Sequence, residues 1–347
     1  VLTETPPLSS QSAAGEGEAP RPSVKTLATR ALLSADVGLL LVLALFCVSF
    51  ALFTRGFTSP FNLFALSRAG TVNILVGLSM MTVIVTGGLD LSVGAIGVAA
   101  SMGAGWLMQD VHLPLAAGLI FALALGGAMG FINGQLIVRS GMHSFVVTLA
   151  TMSVFFGAMI VLTRAQPYNA LPDGFAGFAR IQWWHVITPM LLVALTAAVL
   201  LYLLYRFTET GRNMLAAGAN PRAALLSGVN VPRTIVLCHS LAGLLAAVAG
   251  LMLSMRNAAT IPAMAGNLGQ DWLLPAFLGP VLGGALLSGG RVSVPGAVLG
   301  SLLVTVLGSG LLLLHVGEFW VQFFLGVLLL GAVLVDKMRQ RVALGLR

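Results

Sequence analysis

The charged residues of this chain are spaced so that they cut it into ten long intervals without a single Asp, Glu, Lys or Arg: 37–54, 69–89, 91–109, 111–138, 140–163, 181–205, 234–255, 272–290, 292–317 and 319–335. Each reaches the roughly 17 residues that an α-helix needs to cross ~30 Å of hydrocarbon. Backbone amides in lipid must be satisfied inside helices or a closed barrel, and nothing in these intervals alternates as barrel strands do. The expected fold is therefore an all-α polytopic membrane protein of about ten transmembrane helices. Composition agrees, because 58% of residues are hydrophobic and 8% charged, against about 25% charged in soluble domains.

Threading ten spans from a cytoplasmic N-terminus leaves both termini inside. It places Arg21, Lys25, Arg30, Arg139, Arg206, Arg212, Arg222, Arg233, Arg291, Lys337, Arg339, Arg341 and Arg347 on that side, with Arg55, Arg68, Arg164, Arg180 and Arg256 outside. The positive-inside rule favours this orientation over its reverse. The net charge of +7 thus reads as a topological signature, and nucleic-acid binding is not expected.

Residues 1–33, rich in Ser, Ala, Pro, Glu and Gly, read as a disordered cytoplasmic tail. The apolar run that follows is too long for a signal peptide and is expected to be retained. Residues 34–336 form the transmembrane domain, and 337–347 form a basic tail that anchors the C-terminus inside. Cys47 and Cys238 fall within apolar spans and offer neither a disulfide nor a metal site.

The hydrophilic island is Arg206–Arg233, which carries four of the eighteen basic residues. Gly211 is expected to break the preceding helix, while Asn220-Pro221 is a helix start, a cap followed by proline at the first helical position. A short surface helix should run from Pro221 to about Ser227 and stop at Gly228. Such a helix either transmits force from a soluble partner or is an ordinary solvated loop.

Polar residues inside the spans are few. Asp90, in TGGLDLSVGAIG, is either functional or a cap for the third helix at the interface. Asn73, Ser92, Asn133 and Thr148 join it as candidates for lining a pathway through weak hydrogen bonds, and interhelical bonding is the other reading. Gly126, Gly130 and Gly134 make a double G-x-x-x-G ridge suited to close helix packing. His143 reads as an interfacial histidine. After Arg164, Tyr168, Phe175, Phe178, Trp183 and Trp184 suit an external aromatic belt, and that long segment also suits a docking surface. The interval 272–290 carries Pro275, Gly279, Pro280, Gly283 and Gly284, which interrupt a helix and mark it as a candidate lining of a passage.

No G-x-x-x-x-G-K-[ST] occurs, so the chain lacks a P-loop of its own. Zinc-type spacings, cofactor motifs and a plausible Ser/His/Asp set are also missing from the sequence, so no catalytic residue is assigned. Buried carboxylates are too scarce for an evident proton relay, and a pathway without an energy source calls for another subunit.

Four stretches, TGGLDLSVGAIG (86–97), NGQLIVRSGMHSFVVTLATM (133–152), GRNMLAAGANPRAALLSGVNV (211–231) and GGALLSGGRVSVPGAVLGSLL (283–303), resemble the permease subunits of bacterial ribose-type sugar ABC importers. Branched-chain amino acid and autoinducer-2 permeases belong to the same wider family. The resemblance covers nearly everything from the first span to Asp336. It implies an inner-membrane permease, homodimeric or heterodimeric with a second permease, that takes a monosaccharide or similar small polar solute from a periplasmic binding protein. Separate cytoplasmic ATPase subunits would power it. In that family the matching loop holds the coupling helix, which carries over Gly211, Arg212, Asn220, Pro221, Arg222, Ala223, Ala224 and Gly228. The sequence departs from the family pattern at 283–287, where Gly-Gly-Ala-Leu-Leu replaces Gly-Gly-Thr-Ser-Leu. A different class remains as the alternative: a secondary carrier working alone on an ion gradient.

Overall fold

The computed structural model describes residues 35–183 and 186–343. The tail 1–33 and Trp184 lie outside the described residues. Helices follow one another as α1 (Ala35–Phe53), α2 (Pro60–Ile84), α3 (Val93–Gln109), α4 (Leu115–Ser140), α5 (Ser144–Thr163), α6 (Asp173–Arg180), α7 (Pro189–Phe207), α8 (Glu209–Ala219), α9 (Pro221–Leu226) and α10 (Val231–Asn257). A 3-10 turn (Asn267–Trp272) then leads to α11 (Leu273–Leu282), α12 (Val294–Leu313) and α13 (Glu318–Ala343). Among the described residues β-pairing is confined to isolated bridges such as Tyr168–Thr260.

One device starts many of these helices. Ser59, Thr188, Asn220, Asn230 and Ser293 each accept a backbone N–H of the first turn, and a proline follows within that turn at Pro60, Pro189, Pro221, Pro232 and Pro295. The cap side chain satisfies an otherwise orphaned donor, and proline sits where no intrahelical N–H bond is needed.

Among the described residues seven helices are long and apolar enough to cross a membrane: α1, α2, α4, α5, α7, α10 and α12. The other three charge-free intervals behave differently. Interval 91–109 becomes α3, a helix of 17 residues, and interval 319–335 lies in α13, whose apolar part is Phe319–Gly331. Interval 272–290 is helical only through α11, 10 residues with Pro280 inside. Beyond Gly283 it continues as irregular backbone, with Gly284, Gly289 and Gly290 at positive φ. Charge-free length measures hydropathy alone, and proline with clustered glycine overrules it here. The backbone groups so freed find protein partners, Ala285 N on Pro280 O at 2.9 Å, Leu286 N on Arg291 O at 3.1 Å and Gly290 N on Val85 O at 2.9 Å. That satisfaction is what lets irregular backbone persist against the protein interior.

Helices α2 and α10 form the centre, with 61% of each span window buried against 17% for α1. Around them the apolar side chains point outward, as with Leu52 and Phe53 on α1 and Val161 and Leu162 on α5. The glycine ridge of α4 meets α10 backbone to backbone. A Cβ at Gly134 would fall 2.6 Å from Val236 Cα and one at Gly126 2.6 Å from Gly243 O, while at Gly130 it would run into the carbonyl of His239.

The helix ends gather on two faces. On one face Arg68 donates to Arg256 O at 2.6 Å, Ala170 N donates to Gln109 Oε1 at 2.9 Å, and Tyr168 and Thr260 exchange backbone bonds of 3.0 Å. On the other, Ser293 Oγ donates to Asp36 Oδ1 at 3.0 Å, Leu89 N to Ser144 Oγ at 2.8 Å and Gly290 N to Val85 O. Two residues assigned to the aromatic belt take other places: Phe175 is fully buried and Tyr168 nearly so. Burial, and then the negative charge of Asp110, pushes the Tyr168 phenol up from its ordinary value. Trp183 is exposed.

Candidate functional site

Four of the polar candidates meet around the start of α3. Asp90 Oδ1 accepts both the backbone N–H of Ser92 at 2.8 Å and its hydroxyl at 2.6 Å. Asn133, from α4, donates to Ser92 Oγ at 2.7 Å. From α5, Thr148 Oγ1 accepts Leu91 N at 3.1 Å and itself donates to Ser144 O at 2.9 Å. Three helices are thus tied to the loop that carries Asp90.

Asp90 bonds Ser92, the N-cap residue of α3, and no N–H within the helix; it is 0% exposed, so the interface position expected for a capping carboxylate is replaced by a site within protein. Its Oδ2 has no partner, and neither has Asn133 Oδ1. Both are acceptors, so the pair lacks a donor rather than an acceptor. On α10, whose His239 carbonyl faces Gly130 of α4, the His239 ring is buried with Nδ1 on Ile235 O at 2.9 Å and Nε2 unpartnered. The only sequence signal of His239 is a lone histidine inside the charge-free interval 234–255.

Substitution separates the bonds to Ser92 from the charge. Asp90→Asn retains the accepting Oδ1 and is expected to melt at or above the wild-type temperature in detergent. Asp90→Ala removes both bonds and should cost about 1–3 kcal/mol. Equal melting of the two variants would show that the bonds to Ser92 contribute nothing.

Asn73 stands apart from this network. It donates from α2 to Thr305 Oγ1 on α12 at 2.9 Å, a bond between helices. The α11 candidates cluster against α12 instead. Gly279, Pro280 and Gly283 are buried, with Gly279 and Gly283 at the backbone of Gly300 and Gly296 respectively. Pro275 and Gly284 are half-buried on the same segment. Gly279 and Gly283 serve close approach of α11 to α12, while Pro280 lies against Gly77 of α2.

The hydrophilic island folds as two helices joined by one residue. Thr208, rather than Gly211, ends α7; its hydroxyl accepts Gly211 N at 3.1 Å and so caps α8. Gly211 is helical, and its lack of a side chain lets α8 lie against the last turn of α7, since a Cβ there would sit 2.6 Å from Tyr205 Cα. Asn220 Oδ1 accepts the N–H groups of Arg222 and Ala223, both at 3.1 Å, starting α9 at Pro221 as the sequence indicated. Gly228, at φ +87°, follows its end. Arg212, Pro221, Arg222 and Ala223 are exposed, whereas Ala224 is buried against the body. Two neighbours went unread in the sequence: Leu225 is exposed and Leu226 is 90% exposed. An apolar pair in an otherwise hydrophilic loop was the available signal.

His143 caps α5, accepting Phe145 N through Nδ1 at 3.3 Å. Cys47 and Cys238 are both free thiols.

The chain is 37% identical over 304 residues to the ribose import permease protein RbsC of Bacillus subtilis, covering 87% of this chain and 92% of that protein. It is 32% identical over 317 residues to the fructose import permease protein FrcC of Rhizobium meliloti, 88% and 86% of the two chains. With the galactose/methyl galactoside import permease protein MglC of Escherichia coli it shares 30% over 301 residues, 82% and 88%. No solved structure matches. A family model described as branched-chain amino acid transport system / permease component covers residues 62–333, from the first turn of α2 into α13, and with it the Asp90 network, α8, α9 and the broken α11 segment. The chain belongs to that family of membrane permeases.

Proposed function

We propose that this chain is the translocating permease of an ABC importer for a monosaccharide or similar small polar solute. The observation that carries the reading is its near full-length likeness to ribose, fructose and galactose import permeases, which favours it over a carrier acting alone. The chain lacks a P-loop, so ATP is hydrolysed on separate cytoplasmic subunits, and a solute-binding protein delivers cargo from outside. Two permeases, identical or related, form the channel.

The chain crosses the membrane ten times with both termini inside. This is supported by the two faces on which successive helix ends alternate and by the basic residues of the α8–α9 region. Helix α9 docks on the ATPase, with Arg212 and Arg222 meeting carboxylates and Leu225 and Leu226 filling an apolar groove. Asp90, Ser92, Asn133 and Thr148, with Asn73 and the α11 segment of Pro275, Gly279, Pro280, Gly283 and Gly284, belong to the part that rearranges as the path opens. Weak, distributed hydrogen bonds suit a solute that must enter and leave.

Reconstitution tests the assignment. Proteoliposomes holding the permease, its ATPase and its binding protein should accumulate solute only with ATP. Accumulation by this chain alone, driven by a proton or sodium gradient, would replace the importer by a secondary carrier.

A further inference from the structure

Three separate segments meet backbone to backbone on the face that carries α9. The end of α2 supplies Val85 and Gly87, the end of α8 supplies Gly218 and Ala219, and the α11–α12 connection supplies Ser288, Gly289 and Gly290. Gly290 N donates to Val85 O at 2.9 Å. A Cβ at Gly218 would collide with that same carbonyl and lie 2.5 Å from Gly290 N. One at Gly290 would lie 2.6 Å from Ala219 Cα, one at Gly289 2.6 Å from Gly87 N, and one at Gly87 2.9 Å from Ser288 O. Gly290 also sits at φ +81°, where a side chain is strained as well as crowded.

The junction lies one residue from α9, since only Asn220 separates Ala219 from Pro221. Towards the membrane it is continuous with two irregular segments. Val85–Gly88 leads within two residues to Asp90, and Ser288–Gly290 lies within the irregular stretch that joins α11 to α12. We infer that Gly218 and Gly290 clamp the α8–α9 corner to both glycine turns, so that a displacement of α9 moves the Asp90 loop and the α11–α12 connection together.

The physical reason is the absence of slack. A side-chain contact can absorb a small shift by changing rotamer, whereas backbone touching backbone cannot. If α8 moves away, the Val85–Gly290 hydrogen bond is exposed and its partners lose their packing; if α8 moves towards the turns, it pushes on both. Gly218 is therefore a positioning residue. It touches no solute and acts through Val85 and Gly290. The inference rests on α9 being where the ATPase docks.

The experiment uses the complete complex. Gly218→Ala is expected to insert, to bind the ATPase and to hydrolyse ATP, while solute imported per ATP falls about tenfold. A merely structural defect lowers import and hydrolysis together and leaves that ratio fixed, so an unchanged ratio overturns the clamp. Should Gly218→Ala fail to assemble, distances in the otherwise native chain decide. With Cys47→Ala and Cys238→Ala as background, spin labels at Ser227→Cys and Ser288→Cys should keep one separation with and without ATP, and a separation that changes between the two overturns the clamp. Failure of the importer reading shows separately, as a wild-type chain that binds no ATPase, and removes the clamp with it.

Discussion

Gly130→Leu is expected to unseat α4 from α10 and leave little extractable folded protein. The leucine would begin with a Cβ placed on the His239 carbonyl, and a carbonyl of a central helix cannot turn aside as a side chain can. Flanking contacts make the strain a property of the whole ridge, because Gly126 and Gly134 hold the same helices together one turn to either side, with Cβ positions 2.6 Å from Gly243 O and 2.6 Å from Val236 Cα. In a bilayer the tails are as apolar as leucine, so helices associate through close packing and hydrogen bonds, and a wedge removes the first of these. The cost should be about 3 kcal/mol or more. Gly127→Leu is the matched control, since a Cβ at Gly127 meets nothing within 4 Å. The comparison is read as melting temperature and monodispersity in detergent. If the two variants melt alike, close packing along this ridge is not what holds α4 to α10.

That ridge was legible because a four-residue spacing of glycine has one strong physical use. The span count was less so. Charge-free length located the seven long helices, but it could not tell a helix from the broken α11 segment, where Pro280 and the glycines from Gly283 to Gly290 decide the backbone. Asp90, Ser92, Asn133 and Thr148 were each visible as polar residues in apolar surroundings. Their union was not, because Ser92 and Asn133 are 41 residues apart and join only when α4 packs beside α3. At α8 the misreading was local. Gly211 looked like a breaker, while Thr208 followed by Glu209 is an ordinary helix start that ends α7 three residues earlier. The clamp at Gly218 had no sequence signal beyond a glycine, since its meaning comes from two turns that lie more than sixty residues away on either side.

Leu226→Asp should abolish copurification with the ATPase while leaving membrane insertion intact. Leu226 ends α9 and is 90% exposed, so it contributes almost nothing to the fold of this chain and its replacement has little to disturb. Burying such a leucine in a partner's groove is worth about 1.5–3 kcal/mol, which corresponds to roughly ten- to a hundredfold in affinity. An aspartate there loses that gain and adds a desolvation penalty. Arg222→Glu probes the other half of the surface without confusion from helix stability. Arg222 is the second residue of α9, after the Asn220 cap and Pro221, and a carboxylate at that point interacts favourably with the helix dipole. The helix therefore persists, and any loss of association reports on the charge that the partner meets. The two variants should differ with ionic strength: raising salt should weaken wild-type association and narrow the gap to Arg222→Glu, whereas the deficit of Leu226→Asp should remain. Copurification and ATP-driven uptake at wild-type levels in both variants would mean that the ATPase grips another part of the inner face, because no docking mode centred on α9 leaves both its apolar tip and its cationic start untouched.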